Sequence, residues 1–264
     1  MVWTTILTTV PNYLLGIVII GFAVALAIAG LLLVRRLVPL EVLESHHEVA
    51  GVKFQVMGTL YAVLFAFVII VTWQQFQEVS MAVELEATTL ADLFRDAAEY
   101  PEATRVRFRR QLRTYAEIVV ADEWEAMGRG EESRRAWEEY DKLWDIYRQL
   151  RVSDFTGLAM QIEIVRRMNE LGEHRRLRLL HSKAEIPPVL WFSLVAGGLL
   201  TVSFSYFFGT KKLGSQLLMM ALFAGGLALL VVIIVVLDQP FKGYGRISPE
   251  PFIQVLARFR LLGD

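Results

Sequence analysis

Four long apolar runs, set in pairs on either side of a charged middle, constrain this chain more than any other feature. They cover Asn12–Val34, Gly51–Trp73, Pro188–Gly209 and Ser215–Leu237. Each has about 20 residues or more, enough to cross a hydrocarbon layer of about 30 Å as a helix. None contains Asp, Glu or Arg, and Lys53 is the only lysine within them. Core helices of a water-soluble fold are shorter and amphipathic. The expected fold is therefore an all-α membrane protein, with four transmembrane helices in two hairpins and a helical soluble insertion between spans 2 and 3. The expected divisions are residues 1–73, 74–187, 188–237 and 238–264: a first hairpin, a soluble body, a second hairpin and a C-terminal tail. The start, MVWTTILTTVPNYLL, lacks a basic leader region and a small-residue cleavage site, so the first run reads as a retained span.

Charge supports this division. Residues 74–187 carry 22 of the 28 acidic and 18 of the 27 Lys and Arg residues, so this stretch faces water. The net charge of −1 offers no basic field for nucleic acid. The absence of cysteine excludes disulfides, thiol catalysis and Cys-ligated metals.

The insertion reads as helical throughout. No Gly or Pro interrupts Thr59 to Tyr100, which predicts one helix running from the second span to about Glu99. Pro101 ends it by disfavouring the helical region at Tyr100. Further helices are expected over Glu102–Met127, over Glu132–Arg151, and from a cap at Ser153 or Asp154 towards Lys183. Glycine pairs in the last two spans, Gly197-Gly198 and Gly225-Gly226, suggest that these spans pack against each other.

Chemistry-bearing clusters are sparse. His46-His47-Glu48 reads as a solvated loop, and His174 and His181, among Arg175, Arg176 and Arg178, as a basic face near lipid headgroups. Glu84, Glu86 and Asp92 have no nucleophile, histidine or phosphate loop beside them. No enzyme, cofactor or metal site is expected. No carboxylate lies inside a span, which counts against pumps and ion-coupled transporters.

Tyr61, Phe65, Val68 and Thr72 fall at i, i+4, i+7 and i+11 of the second span, on one helix face. In a symmetric ring that face would make a narrow apolar neck. Gln75 and Glu78 continue it, and Glu84, Glu86 and Asp92 follow as a polar, acidic exit.

The segments GTLYAVLFAFVIIVTWQQF, VELEATTLADLFRDA, QLRTYAEIVVADEW and LDQPFKGYGRIS, in that order, resemble the bacterial bestrophin-like domain family. The resemblance implies a homo-oligomer, a pentamer in bestrophins, in a lipid bilayer, with small monovalent ions, an anion such as chloride or else a cation, passing along a pore lined by the second span. It implies Tyr61, Phe65 and Val68 as the neck and Thr72 at its inner end. Bestrophins carry Pro-Phe-Gly after the last span; Pro240-Phe241 matches, with Gly243 one position later and Asp238 just before. The acidic calcium-binding run of the animal proteins is replaced here by KGYGRISPEP. The resemblance implies an inner-membrane protein with its body and termini in the cytoplasm, although Arg35, Arg36, Lys211 and Lys212 would by charge place their own loops there. Two other functions fit the span order: a non-conducting assembly scaffold, and a proton-channel subunit of the flagellar stator or TolQ type.

Overall fold

In the computed structural model, residues 12–45, 47–149, 155–243 and 245–263 are described, and among them every regular element is helical. The order is α1 (Asn12–Leu37), α2 (Leu40–Ser45), α3 (His47–Asp96), α4 (Glu102–Ile118), α5 (Trp124–Gly128), α6 (Arg134–Arg148), α7 (Phe155–Ser182), α8 (Pro188–Ser205), α9 (Leu213–Leu237) and α10 (Glu250–Leu262). Four of these, α1, α3, α8 and α9, are long and apolar enough to cross a membrane. The proposed caps at Ser153 and Asp154, and the side chains of His46-His47-Glu48, lie outside the described residues.

α3 has 50 residues, about 75 Å at 1.5 Å per residue. It ends in a 3₁₀ turn at Ala97–Glu99, where Tyr100 turns extended ahead of Pro101. The chain divides into two units: residues 1–74 with 185–239, and residues 75–184 with 240–264.

The first unit holds the apolar helices. α9 packs mainly along α1, through Ala27, Leu31, Met220 and Ala224, and shares far less surface with α8. This corrects the expected α8–α9 glycine contact. A Cβ added at Gly225 would meet Val24 of α1 at 3.6 Å, and one at Gly226 would meet nothing. Gly197 and Gly198 instead receive the ring of Tyr61 from α3, whose carbons lie 2.6 Å from the position of a Cβ at 197.

The second unit is the charged body. Its core joins Val83, Leu90, Phe94, Phe108, Leu112, Tyr115, Leu143, Ile164, Met168 and Leu171, one buried stripe from each of α3, α4, α6 and α7. α4 passes into α5 through a π-helical turn at Val119–Glu123. Ser133 caps α6 by accepting from the Ala136 N–H at 3.1 Å and donates its own hydroxyl to Asp122. The C-terminal stretch belongs to this core. Phe252, Leu256 and Phe259 of α10 are buried, and Phe259 stacks on Phe94 with ring centroids 4.0 Å apart.

Candidate pore-lining helix

The side chains of α3 divide into a covered and an open face. Tyr61, Phe65, Val68 and Thr72 are all buried, each less than 8% exposed. Tyr61 donates to the Leu194 carbonyl at 2.6 Å and meets Phe65 edge to face at 4.8 Å. Phe65 and Val68 pack with Ile186, Leu194 and Ile234, and Thr72 donates back to the Val68 carbonyl at 2.7 Å. A side chain enclosed within one protomer cannot line an axis shared by several copies. The shared helix face expected from spacing is therefore real, but it is the face that joins α3 to α8 and α9. The residues expected at the neck, Tyr61, Phe65, Val68 and Thr72, thus lie on the side of α3 that packs within the chain.

The opposite face is open. At 100° per residue, Val63 and Ile70 lie about half a turn round the helix from Phe65 and Val68. Val63, Phe67 and Ile70 are 63%, 58% and 55% exposed. Along α3, Gln74, Gln77, Met81 and Glu84 continue this exposed line.

The expected exit residues separate. Glu84 is exposed and Gln75 half-buried. Glu78 is exposed, with an oxygen 3.9 Å from Nδ1 of His181. Asp92 joins a surface ion-pair network with Arg95 and Arg167. Glu86 is fully buried and cannot face a pore. Its Oε2 accepts from Nε of Arg178 at 2.7 Å, and its Oε1 from Nη2 of Arg178 at 3.0 Å and from the Tyr115 hydroxyl at 2.6 Å.

That contact opens into a network which spacing alone does not reveal. Glu123, carried inward by the π-helical turn, accepts from Arg175 at 2.6 and 2.8 Å and from Arg178 at 2.7 Å. Both carboxylates and both guanidinium groups have no solvent exposure. Two positive and two negative charges balance, which is what makes their burial tolerable. Arg175 also lies over the Trp137 ring at 4.5 Å, and Arg178 over Trp124 at 5.5 Å. Burial pushes the Tyr115 phenol well above its ordinary range. Arg175 and Arg178 are thus core residues, which corrects their reading as part of a basic face; Arg176 alone of the three is exposed. The available signal was the i, i+3 spacing of two arginines on a helix whose apolar residues share that face.

The residues after the last apolar helix divide between the units. Asp238 accepts from the Ile186 N–H at 2.8 Å, just ahead of α8. Phe241 is buried edge-on to Trp124 at 5.5 Å. The Pro240 carbonyl accepts from the Ile247 N–H at 2.7 Å, and the Ile247 carbonyl from the Trp124 indole at 3.0 Å. Gly243 turns this loop at a φ of 68°, a region that favours glycine. Among the described residues no group of three or more His, Asp or Glu could hold a metal ion.

This architecture is that of a bestrophin-like protein. The bestrophin-like domain model matches residues 21–252, and the chain belongs to that family. It is similar in fold to a single-substitution variant of the bacterial bestrophin homologue from Klebsiella pneumoniae, with a TM-score of 0.68 at 13% identity over 93% of this chain and 99% of that one. A variant of a protein described only as a membrane protein gives 0.66 at 14% identity, over 92% and 97%. The Klebsiella homologue phased on zinc gives 0.66 at 12%, over the same shares. Among curated proteins none matches.

Proposed function

We propose that this protein is a homo-oligomeric ion channel of the cell membrane, built from four-span protomers whose α3 helices surround the conducting axis. The observation that carries the reading is the open face of α3. Val63, Phe67 and Ile70 are among the apolar side chains that the protomer leaves uncovered opposite its own packing face. No ionisable group occurs on α3 between Lys53 and Glu78 apart from the buried Tyr61 phenol. A ring of such side chains forms a dewetting constriction, a recognised gate for ions. Membership of the bestrophin-like family supports conduction over a scaffold role. Glu84 lies further along the same exposed line, and a ring of carboxylates there favours small monovalent cations over chloride. The charged body faces the cytoplasm in this reading.

Purified protein in planar bilayers tests it. Phe67→Ala widens the constriction and raises single-channel conductance, whereas Phe65→Ala, inside the protomer, lowers thermal stability without that gain. Absence of current from both the wild type and Phe67→Ala overturns the reading.

A further inference from the structure

One end of the apolar unit gathers cations from three separate segments. Arg35 and Arg36 close the last turn of α1, Lys53 stands near the start of α3, and Lys211 and Lys212 form the turn between α8 and α9. The packing shows that these segments meet. Nη2 of Arg35 donates to the Thr210 carbonyl at 3.1 Å. Gly209 leaves no room for a side chain, since a Cβ there would lie 2.8 Å from Cβ of Leu43 and 2.9 Å from Cδ1 of Leu40. Phe54, next to Lys53, packs on Phe208 at 5.3 Å, on Phe223 at 5.8 Å and on Phe204 at 5.9 Å.

Among the described residues these charges are also uncompensated. In the body, Arg95, Arg134, Arg148, Arg166, Arg167, Lys142 and Lys183 all hold carboxylates. Arg36, Lys53, Lys211 and Lys212 are exposed, and among the described residues none of them has an ion-pair partner. Glu41 is exposed in the same stretch and pairs with none of them. Cations held together at the end of membrane-length helices by the packing of Phe54 on Phe204, Phe208 and Phe223 lie where lipid phosphates would meet them.

We infer that this end, framed by Arg35, Arg36, Lys53, Lys211 and Lys212, binds the phosphate of an anionic phospholipid in the adjoining leaflet. The inference rests on the membrane reading above. It gives these cations a role other than setting topology. Arg35 serves by pinning the α8–α9 turn, and Arg36, Lys211 and Lys212 supply charge. Each basic group near an anionic surface contributes about fivefold in affinity, equivalent to about 1 kcal/mol.

The test takes the full chain from mixed phosphatidylcholine–phosphatidylglycerol vesicles and reads the bound lipids by native mass spectrometry. The wild type is expected to retain phosphatidylglycerol preferentially. The Arg36→Gln, Lys211→Gln, Lys212→Gln triple variant should lose that preference by about 100-fold if the three contributions add. A variant altered in the body, Arg134→Gln, should keep it. An unchanged preference in the triple variant overturns the inference. So does displacement of phosphatidylglycerol by inorganic phosphate, which would mark a soluble-anion site. A chain released from vesicles by alkaline extraction shows failure of the membrane reading itself, which is separate from a chain that stays embedded without lipid preference.

Discussion

Arg178 holds Glu86 at two points, with Nε 2.7 Å from one carboxylate oxygen and Nη2 3.0 Å from the other. This planar fork ties α7 to α3 inside the buried core of the body. Arg178→Met leaves Glu86 and half of Glu123 buried without a counter-charge, and stability falls by about 3–5 kcal/mol. The double replacement Arg178→Met with Glu86→Leu removes one charge of each sign and leaves Arg175 with Glu123. It should recover most of the loss. A double-mutant cycle from denaturation of the detergent-solubilised protein measures the difference.

Tyr61 fills the hollow made by Gly197 and Gly198. Gly197→Ala would put a methyl 2.6 Å from its ring, and overpacking of this kind costs about 1–3 kcal/mol. Tyr61→Phe loses only the bond to the Leu194 carbonyl, about 1 kcal/mol. Thermal unfolding in detergent should place the glycine variant no higher than the tyrosine variant.

The exposed Glu84 provides a test that does not depend on conductance. Glu84→Gln should move the reversal potential in a potassium chloride gradient towards the chloride equilibrium value, and Glu86→Gln should not, because Glu86 lies in the protomer core. Bilayer recordings under asymmetric salt distinguish the two.

Acid sensitivity should map to the link between Glu132 and Lys183. The Lys183 ammonium at 2.6 Å and the Trp137 indole at 2.8 Å hold the Glu132 carboxyl below its usual range. A folded-state pKa below the unfolded value of 4.5 adds stability that is fully present above that value. That stability is lost as pH falls through the lower, folded value. The pair is partly exposed, so screening limits the effect to under about 1 kcal/mol. Glu132→Gln should flatten the fall of melting temperature below about pH 4.5, read by calorimetry against the wild type.

Phe241 anchors the chain that follows α9. Phe241→Ala opens a void beside Trp124 and should cost about 3–5 kcal/mol. Near-ultraviolet circular dichroism of Trp124 reports the loss directly.

The sequence carried the helices well. Runs of uncharged residues mark the four apolar helices, and Pro101 and Gly128 through Gly130 mark breaks in the body. It carried facing less well. Spacing identified Tyr61, Phe65, Val68 and Thr72 as one face, but periodicity is the same whether a face meets a neighbouring helix or an open axis. In a span, both faces are apolar, so the contrast that orients a soluble helix is missing. Glu86 is hard to place from sequence for a related reason: an acid two residues after Glu84 reads as solvated until its arginine partner, 92 residues away, is known. The C-terminal helix is hard to read from sequence because its buried residues, Phe252, Leu256 and Phe259, are interleaved with Arg258 and Arg260.

The wide turn at Val119–Glu123 carries one residue more than an α-helical turn would. The widening absorbs that extra residue: an α-helical turn covers nearly the same rotation with one residue fewer, so Leu112 and Tyr115 before it and Trp124 and Met127 after it face one core. Loss of one codon at Val120 or Ala121 should therefore close the wide turn into a regular one and leave Glu123 aimed at Arg175 and Arg178, whereas loss of the Glu123 codon leaves two guanidinium groups to compete for one carboxylate.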